Sequence, residues 1–207
     1  MKKKITTYEI ALIPLFTALI AVCSFITIPV PNIPFTMQLF AIFLALACLG
    51  GRNGSIAVAL YLVLGAIGLP IFSGFQGGIQ KLLGPTGGYL SGFLFSALLY
   101  WLITSVQKNG RPKIRLKAVA MIAGLLVCYL FGTIWFYVVY TRGGNAITIG
   151  RTLMLCVIPF IPFDLLKITL ALSFSVAIEK RGALKKLFAK KEEGKKAAPE
   201  QQDKGRA

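Results

Sequence analysis

Residues 118–140 read AVAMIAGLLVCYLFGTIWFYVVY, a run with no charge and no proline. A hydrocarbon core about 30 Å thick needs about 20 helical residues to cross it. This run alone therefore predicts a membrane-spanning helix, and the rest of the chain agrees. Of 207 residues 56% are hydrophobic and only 14% charged, and the mean hydropathy is +0.74. Such a composition excludes a soluble globular domain.

Working outward, five further apolar runs stand at 10–28, 36–49, 55–69, 89–106 and 152–178. The expected fold is an all-α integral membrane protein of six transmembrane helices. The first run follows Lys2, Lys3 and Lys4 but is too long for a signal-peptide core and lacks a small-residue cleavage pattern, so it is read as a span. Its end is Pro29-Val-Pro31-Asn-Ile-Pro34, whose prolines cannot continue a helix and predict a rigid, uncharged turn. The second run is expected to close at Gly50-Gly51-Arg52-Asn53-Gly54. The second and third are barely long enough to cross alone, and a hairpin that spans only in part is the alternative there. Pro159 and Pro162 interrupt the sixth, predicting a broken helix that restarts at Pro162.

The net charge of +16 arises from 23 Lys and Arg against 7 Asp and Glu. Lys2, Lys3, Lys4, Arg52, the five basic residues of 108–117 and the ten after Ile178 make nineteen on one side of the membrane, against Lys81, Arg142 and Arg151 on the other. The positive-inside rule then puts both termini in the cytoplasm and the loops 29–35, 70–88 and 141–151 outside. The expected organisation is a transmembrane substrate-binding domain over 1–178 and a basic, disordered cytoplasmic tail over 179–207. That tail suits either adhesion to anionic lipid or simple fixing of orientation. Nucleic-acid binding is disfavoured, because no aromatics interleave with the basic residues.

The chain has no histidine, which removes Ser-His-Asp and Cys-His catalysis and His-ligated metals. Cys23, Cys48, Cys128 and Cys156 each sit in an apolar run and read as buried thiols. No metal site and no cofactor is expected, and the chain is not read as an enzyme.

Asp164 is the only acidic residue away from both ends, and Lys167 follows it on the same helix face. Charges at membrane depth cost several kcal/mol each and usually face a cavity, a partner or a substrate. The competing reading is an ion pair that pins helix packing, but the proline-broken helix before it is where transporters build polar sites. The second candidate is the segment 70–89, with Gly74, Gly77, Gly78, Gly84, Gly87 and Gly88. Its glycines allow close approach to a ligand. Phe72, Phe75, Ile79, Leu82 and Leu83 suit a lid that folds back on the bundle. With no Lys-Ser/Thr after the glycines it is no P-loop. Thr36 and Gln38 are the polar residues at the outer start of the second span, and Thr17 with Ala21, Ala18 between them, form a small-residue pair on the first. Trp101, Trp135, Tyr100, Tyr137 and Tyr140 are expected as interface anchors.

Four stretches in order, Pro31-Asn-Ile-Pro-Phe-Thr36-Met-Gln38, Ile67-Gly-Leu-Pro70-Ile-Phe72, Leu83-Gly-Pro-Thr-Gly-Gly-Tyr89 and Pro159-Phe-Ile-Pro-Phe-Asp164-Leu-Leu-Lys167, closely resemble the BioY family. These are biotin-specific substrate-binding (S) components of energy-coupling-factor (ECF) transporters. The resemblance implies a six-helix S component of the cell membrane that captures biotin from outside and passes it inward with a transmembrane coupling subunit and two cytosolic ATPases. It also implies a biotin site made by Asp164 and Lys167 with the loop residues Gln76, Gly77, Gly78, Gln80, Gly84, Thr86, Gly87, Gly88 and Tyr89. The chain departs from the family twice. The family's alanine-x-x-x-alanine docking motif is here Pro14-x-x-x-Ala18 or Thr17-x-x-x-Ala21, and its proline-glycine-aspartate is Pro162-Phe163-Asp164. A solitary transporter, an S component for another vitamin and, most weakly, a membrane enzyme are the other readings.

Overall fold

The computed structural model describes residues 7–28, 33–107, 112–144 and 146–180. Expectations that fall on Lys2 to Lys4, on Pro29 and Pro31, on 108–111 or on the tail from 181 lie outside them. The first helix, α1 (Thr7–Phe25), leads into two short antiparallel arms, β1 (Thr27–Ile28) and β2 (Phe35–Thr36), paired Thr27 to Thr36 and Ile28 to Phe35.

Next comes α2 (Gln38–Leu49), in which every residue but Phe40 is buried. It packs against α1 and against three helices that follow, α3 (Gly51–Ala66), α5 (Gly87–Ser105) and α8 (Ile161–Lys180). A helix enclosed on all sides is apolar on all sides, and protein rather than lipid sets its length. The break between α2 and α3 is shorter than expected. It consists of Gly50 alone, at φ +82°, a conformation that L side chains rarely adopt. Gly51-Arg52-Asn53-Gly54 is the first turn of α3, with Gly54 N–H donating to Gly50 O at 2.9 Å.

After α3 the chain forms the lid. Phe72 N–H donates to Gln76 O at 2.8 Å, a one-turn-and-a-bit helix α4 (Ile79–Leu83) follows, and α5 starts at Gly87, two residues before its expected beginning. Phe72 is fully buried, edge-on to Tyr61 at 5.4 Å. Phe75 stacks on Phe25 of α1 at 4.2 Å.

The most extensive helix pair is α5 with α6 (Ile114–Arg142). Gly88, Gly92 and Ser96 recur every fourth residue on α5, facing Gly124, Cys128 and Gly132 on α6. A Cβ on Gly88 would meet Trp135 Cβ at 2.2 Å, and one on Gly124 would meet Ser96 Oγ at 2.4 Å. Small residues at this spacing let membrane helices approach closely, which van der Waals packing then rewards. The opposite face of α6 exposes Val119, Ile122, Leu126, Leu130 and Ile134, a stripe that suits lipid and not water. Among the described residues α5, α6 and α8 are long and apolar enough to cross a membrane, and Ala11–Phe25 and Gln38–Leu49 are shorter apolar helices.

The run 152–178 divides as its prolines predict, though with different bounds. α7 (Ile149–Cys156) is capped by Thr148, whose Oγ1 accepts from Arg151 N–H at 3.4 Å. A turn follows, and α8 restarts at Ile161 with Pro162 in its first turn rather than at its first position. α8 also continues through Glu179 and Lys180, two residues into the segment read as tail. Two of the expected interface anchors are internal. Tyr100 is buried, and Trp135 Nε1 donates to Gly84 O of the lid at 3.0 Å. All four cysteines are free and buried.

Candidate functional site

The broken helix sets up the site. Proline at 159 and 162 supplies no N–H to the turn, where Phe160 and Ile161 N–H both donate to Val157 O at 3.0 and 3.2 Å before Asp164 N–H donates to Phe160 O at 2.8 Å. This places Asp164 and Lys167 on the first two turns of α8, both buried. Lys167 Nζ stands 2.7 Å from Asp164 Oδ1, and Tyr129 of α6 donates its hydroxyl to Asp164 Oδ2 at 2.6 Å. The ammonium also lies 3.9 Å over the ring of Phe35, a cation–π contact. Phe163, where the family has glycine, is half exposed and meets Phe35 edge-on at 4.9 Å. It braces the ring beneath Lys167 and leaves the cavity wall to its neighbours.

That wall encloses a cavity of about 80 Å³ that opens at its mouth. It is mostly apolar, built by Leu39, Phe72, Leu90, Phe93, Leu125 and Phe160 among others. Polar side chains also line it: Thr36, Gln38, Ser73, Lys81, Thr86, Tyr89, Tyr129, Asp164 and Lys167. Among the described residues each Asp164 oxygen has a single partner and keeps a lone pair for a further donor, while Lys167 has donors to spare. The arrangement can hold a group that both donates and accepts hydrogen bonds, inside a pocket that otherwise favours hydrocarbon.

Of the residues expected at the site, Thr36, Gln38, Thr86, Tyr89, Asp164 and Lys167 line the cavity. Gln76, Gly77, Gly78, Gln80, Gly84, Gly87 and Gly88 are not on its wall. They build and fasten the lid instead, because their backbones are spent on packing. Gly78 N–H donates to Gly65 O at 2.7 Å, and Gly77 abuts the backbone of Leu69. Gly84 O accepts from Trp135, Gly87 abuts Leu82 and Gly88 abuts Trp135, while Gln76 and Gln80 face outward. The lid's base is held by a relay. Ile71 O accepts from Ser24 Oγ at 2.6 Å and from Tyr61 OH at 3.1 Å, and Tyr61 OH accepts from Gln38 Nε2 at 3.0 Å. Gln38 therefore touches both the cavity and the lid's anchor.

Sequence reasoning missed Tyr129 and Lys81. Tyr129 carries no local signal, since its partner is 35 residues away. Lys81 carried one, as the sole charge in an apolar loop, but was read only as a topology marker. On α1 the two docking candidates separate. Thr17 is buried, its hydroxyl within 3.1 Å of Ala57 O on α3, and Ala21 is half-buried, whereas Ala18 is exposed beside Pro14.

The sequence pattern of the BioY family matches residues 1–183. This chain belongs to the BioY family. It is 39% identical over 168 residues to a protein of Thermotoga maritima named "Biotin transporter BioY", covering 80% of this chain and 92% of that one. A "Probable biotin transporter BioY" of Pyrococcus horikoshii is 36% identical over 159 residues, with 77% and 88% covered. Among solved structures, the S-component for biotin from an ECF-type ABC transporter superposes with a TM-score of 0.74 at 26% identity, over 86% of this BioY-family chain and 95% of the other.

Proposed function

We propose that this chain is the biotin-binding S component of an ECF uptake system. It sits in the cell membrane as six crossings, the sixth made of α7 and α8, with both termini in the cytoplasm. It takes biotin from outside beneath the lid and delivers it inward together with a transmembrane coupling subunit and two cytosolic ATPases. It performs no catalysis and uses no cofactor. Family membership and the biotin-transporter relatives support the ligand. The observation that carries the reading is a buried, mutually neutralising Asp164–Lys167 pair on the wall of a mostly apolar cavity to which the loop 70–89 contributes. Biotin has matching parts: a ureido ring with two N–H donors and a carbonyl acceptor, an apolar thioether ring and tail, and a carboxylate. Asp164 accepts from N–H groups and Lys167 donates to a carbonyl or carboxylate oxygen.

The test is biotin binding to the purified chain in lipid nanodiscs, with Asp164→Asn and Lys167→Ala beside the wild type. Hydrogen bonds to charged groups in a dry site are worth about 1.5–3 kcal/mol, so each change should weaken binding about tenfold or more. Affinity unchanged in both removes the site assignment, and no binding by folded wild type removes biotin. Uptake by cells with and without the ATPase subunits separates the coupled system from a solitary transporter.

A further inference from the structure

The cavity wall carries three charged side chains, Asp164, Lys167 and Lys81. The first two neutralise each other. The ion pairs among the described residues are Asp164–Lys167 and Lys117–Glu179, so Lys81 has no carboxylate partner there. The wall therefore carries one net positive charge, on the half-buried side chain of Lys81, which a ligand anion would complement. Lys81 is also one of few basic residues on the side that the positive-inside rule leaves poor in them, so orientation gives no reason for it.

Its place is well defined. Lys81 is at the centre of α4, which Gly78 fastens to Gly65 at one end and Gly84 fastens to Trp135 at the other. Burial lowers the pKa of its ammonium, the direction in which a neighbouring anion would act oppositely. The charged groups of the cavity thus come from two different elements. Lys81 reaches it from the lid, while Asp164, Lys167 and their partner Tyr129 reach it from α8 and α6.

We propose that Lys81 is the carboxylate-binding group of this site. It holds the acid end of the ligand beneath the lid and leaves the Asp164, Lys167 and Tyr129 cluster to the uncharged polar end. With biotin as ligand, an identity that rests on the proposed function, the ureido ring lies at α8 and the valerate carboxylate at α4. The subunit then selects the free acid and rejects biotin joined to anything through its carboxyl group.

The experiment compares biotin with biotinamide, which keeps the ring and tail but lacks the negative charge, on wild type, Lys81→Gln and Lys81→Arg in nanodiscs. Wild type should prefer biotin at least tenfold. Lys81→Gln should lose at least tenfold in biotin affinity while holding biotinamide within about twofold of wild type, and Lys81→Arg should keep the preference. Retained biotinamide binding certifies that the variant is folded. A preference for the acid that survives in Lys81→Gln overturns the assignment and leaves the biotin reading standing. An equal loss for both probes also overturns it, by showing that Lys81 serves the lid and not the carboxylate. If wild type binds neither probe, the biotin reading fails and this proposal fails with it.

Discussion

Tyr129 of α6 donates a 2.6 Å hydrogen bond to Oδ2 of Asp164 on α8, while Lys167 takes the other oxygen at 2.7 Å. The carboxylate is thus fixed from two helices before any ligand arrives. Tyr129→Phe removes one anchor with almost no change in volume. A net hydrogen bond is worth about 1 kcal/mol, so biotin affinity should fall roughly fivefold with the fold intact. Calorimetric titration in nanodiscs checks this, and unchanged affinity would show that Lys167 alone orients Asp164.

A second ion pair lies toward the far ends of the same helices. Lys117 Nζ stands 2.7 Å from Glu179 Oε1 and donates to Ala47 O at 3.2 Å, joining α6, α8 and α2. The lysine side chain is 5% exposed and the glutamate 25%. Removing the partner that water reaches leaves a buried ammonium short of acceptors, whereas removing the lysine leaves a carboxylate near water. Glu179→Gln should therefore destabilise by about 1–3 kcal/mol and Lys117→Met by less. Thermal unfolding in detergent ranks the two, and the reverse order would refute the argument.

The α5–α6 seam should be intolerant of a single methyl group. Gly88→Ala brings Cβ to 2.2 Å from Trp135 Cβ, the residue that also holds the lid through Gly84 O. Overpacking of this kind costs about 1–3 kcal/mol. Biotin affinity should drop together with the unfolding temperature. Gly150→Ala, whose added Cβ meets nothing within 4 Å beyond its chain neighbours and its own helix backbone, is the control that should change neither.

Docking on a coupling subunit is predicted to use the outer face of α1. Ala18→Trp enlarges an exposed position and should reduce co-purification with the coupling and ATPase subunits while biotin still binds the isolated chain. Thr17→Val should do the opposite, lowering stability through the lost bond to Ala57 O and sparing assembly. Assembly of Ala18→Trp at the wild-type level would move the interface elsewhere.

Much of this molecule was legible in the chain. Hydrophobic runs long enough for a bilayer, prolines at 159 and 162 and one acid followed by a lysine three residues on are local properties, and local chemistry places them on helices and marks the pair as costly. The glycine-rich segment was legible as a lid only in part, since Phe72 is buried and Leu82 packs on the core while Phe75, Ile79 and Leu83 stay exposed. Which of its residues face the ligand was not legible. The glycines pack against Leu69, Leu82 and Trp135, partners that no spacing rule supplies, and the wall position falls to Lys81.

By itself, then, the amino-acid order determined the apolar helices, the helix break and the presence of a buried charged pair, because each follows from solvent preference and backbone chemistry within a few residues. Tertiary structure alone decided that Tyr129 meets Asp164, that Gln38 reaches Tyr61 and thereby the lid's anchor, that Thr17 turns inward while Ala18 stays out, and that Lys81 joins the cavity. Those are contacts between residues distant in sequence. They depend on how closely whole helices approach and rotate against one another, which is set by packing summed over both surfaces.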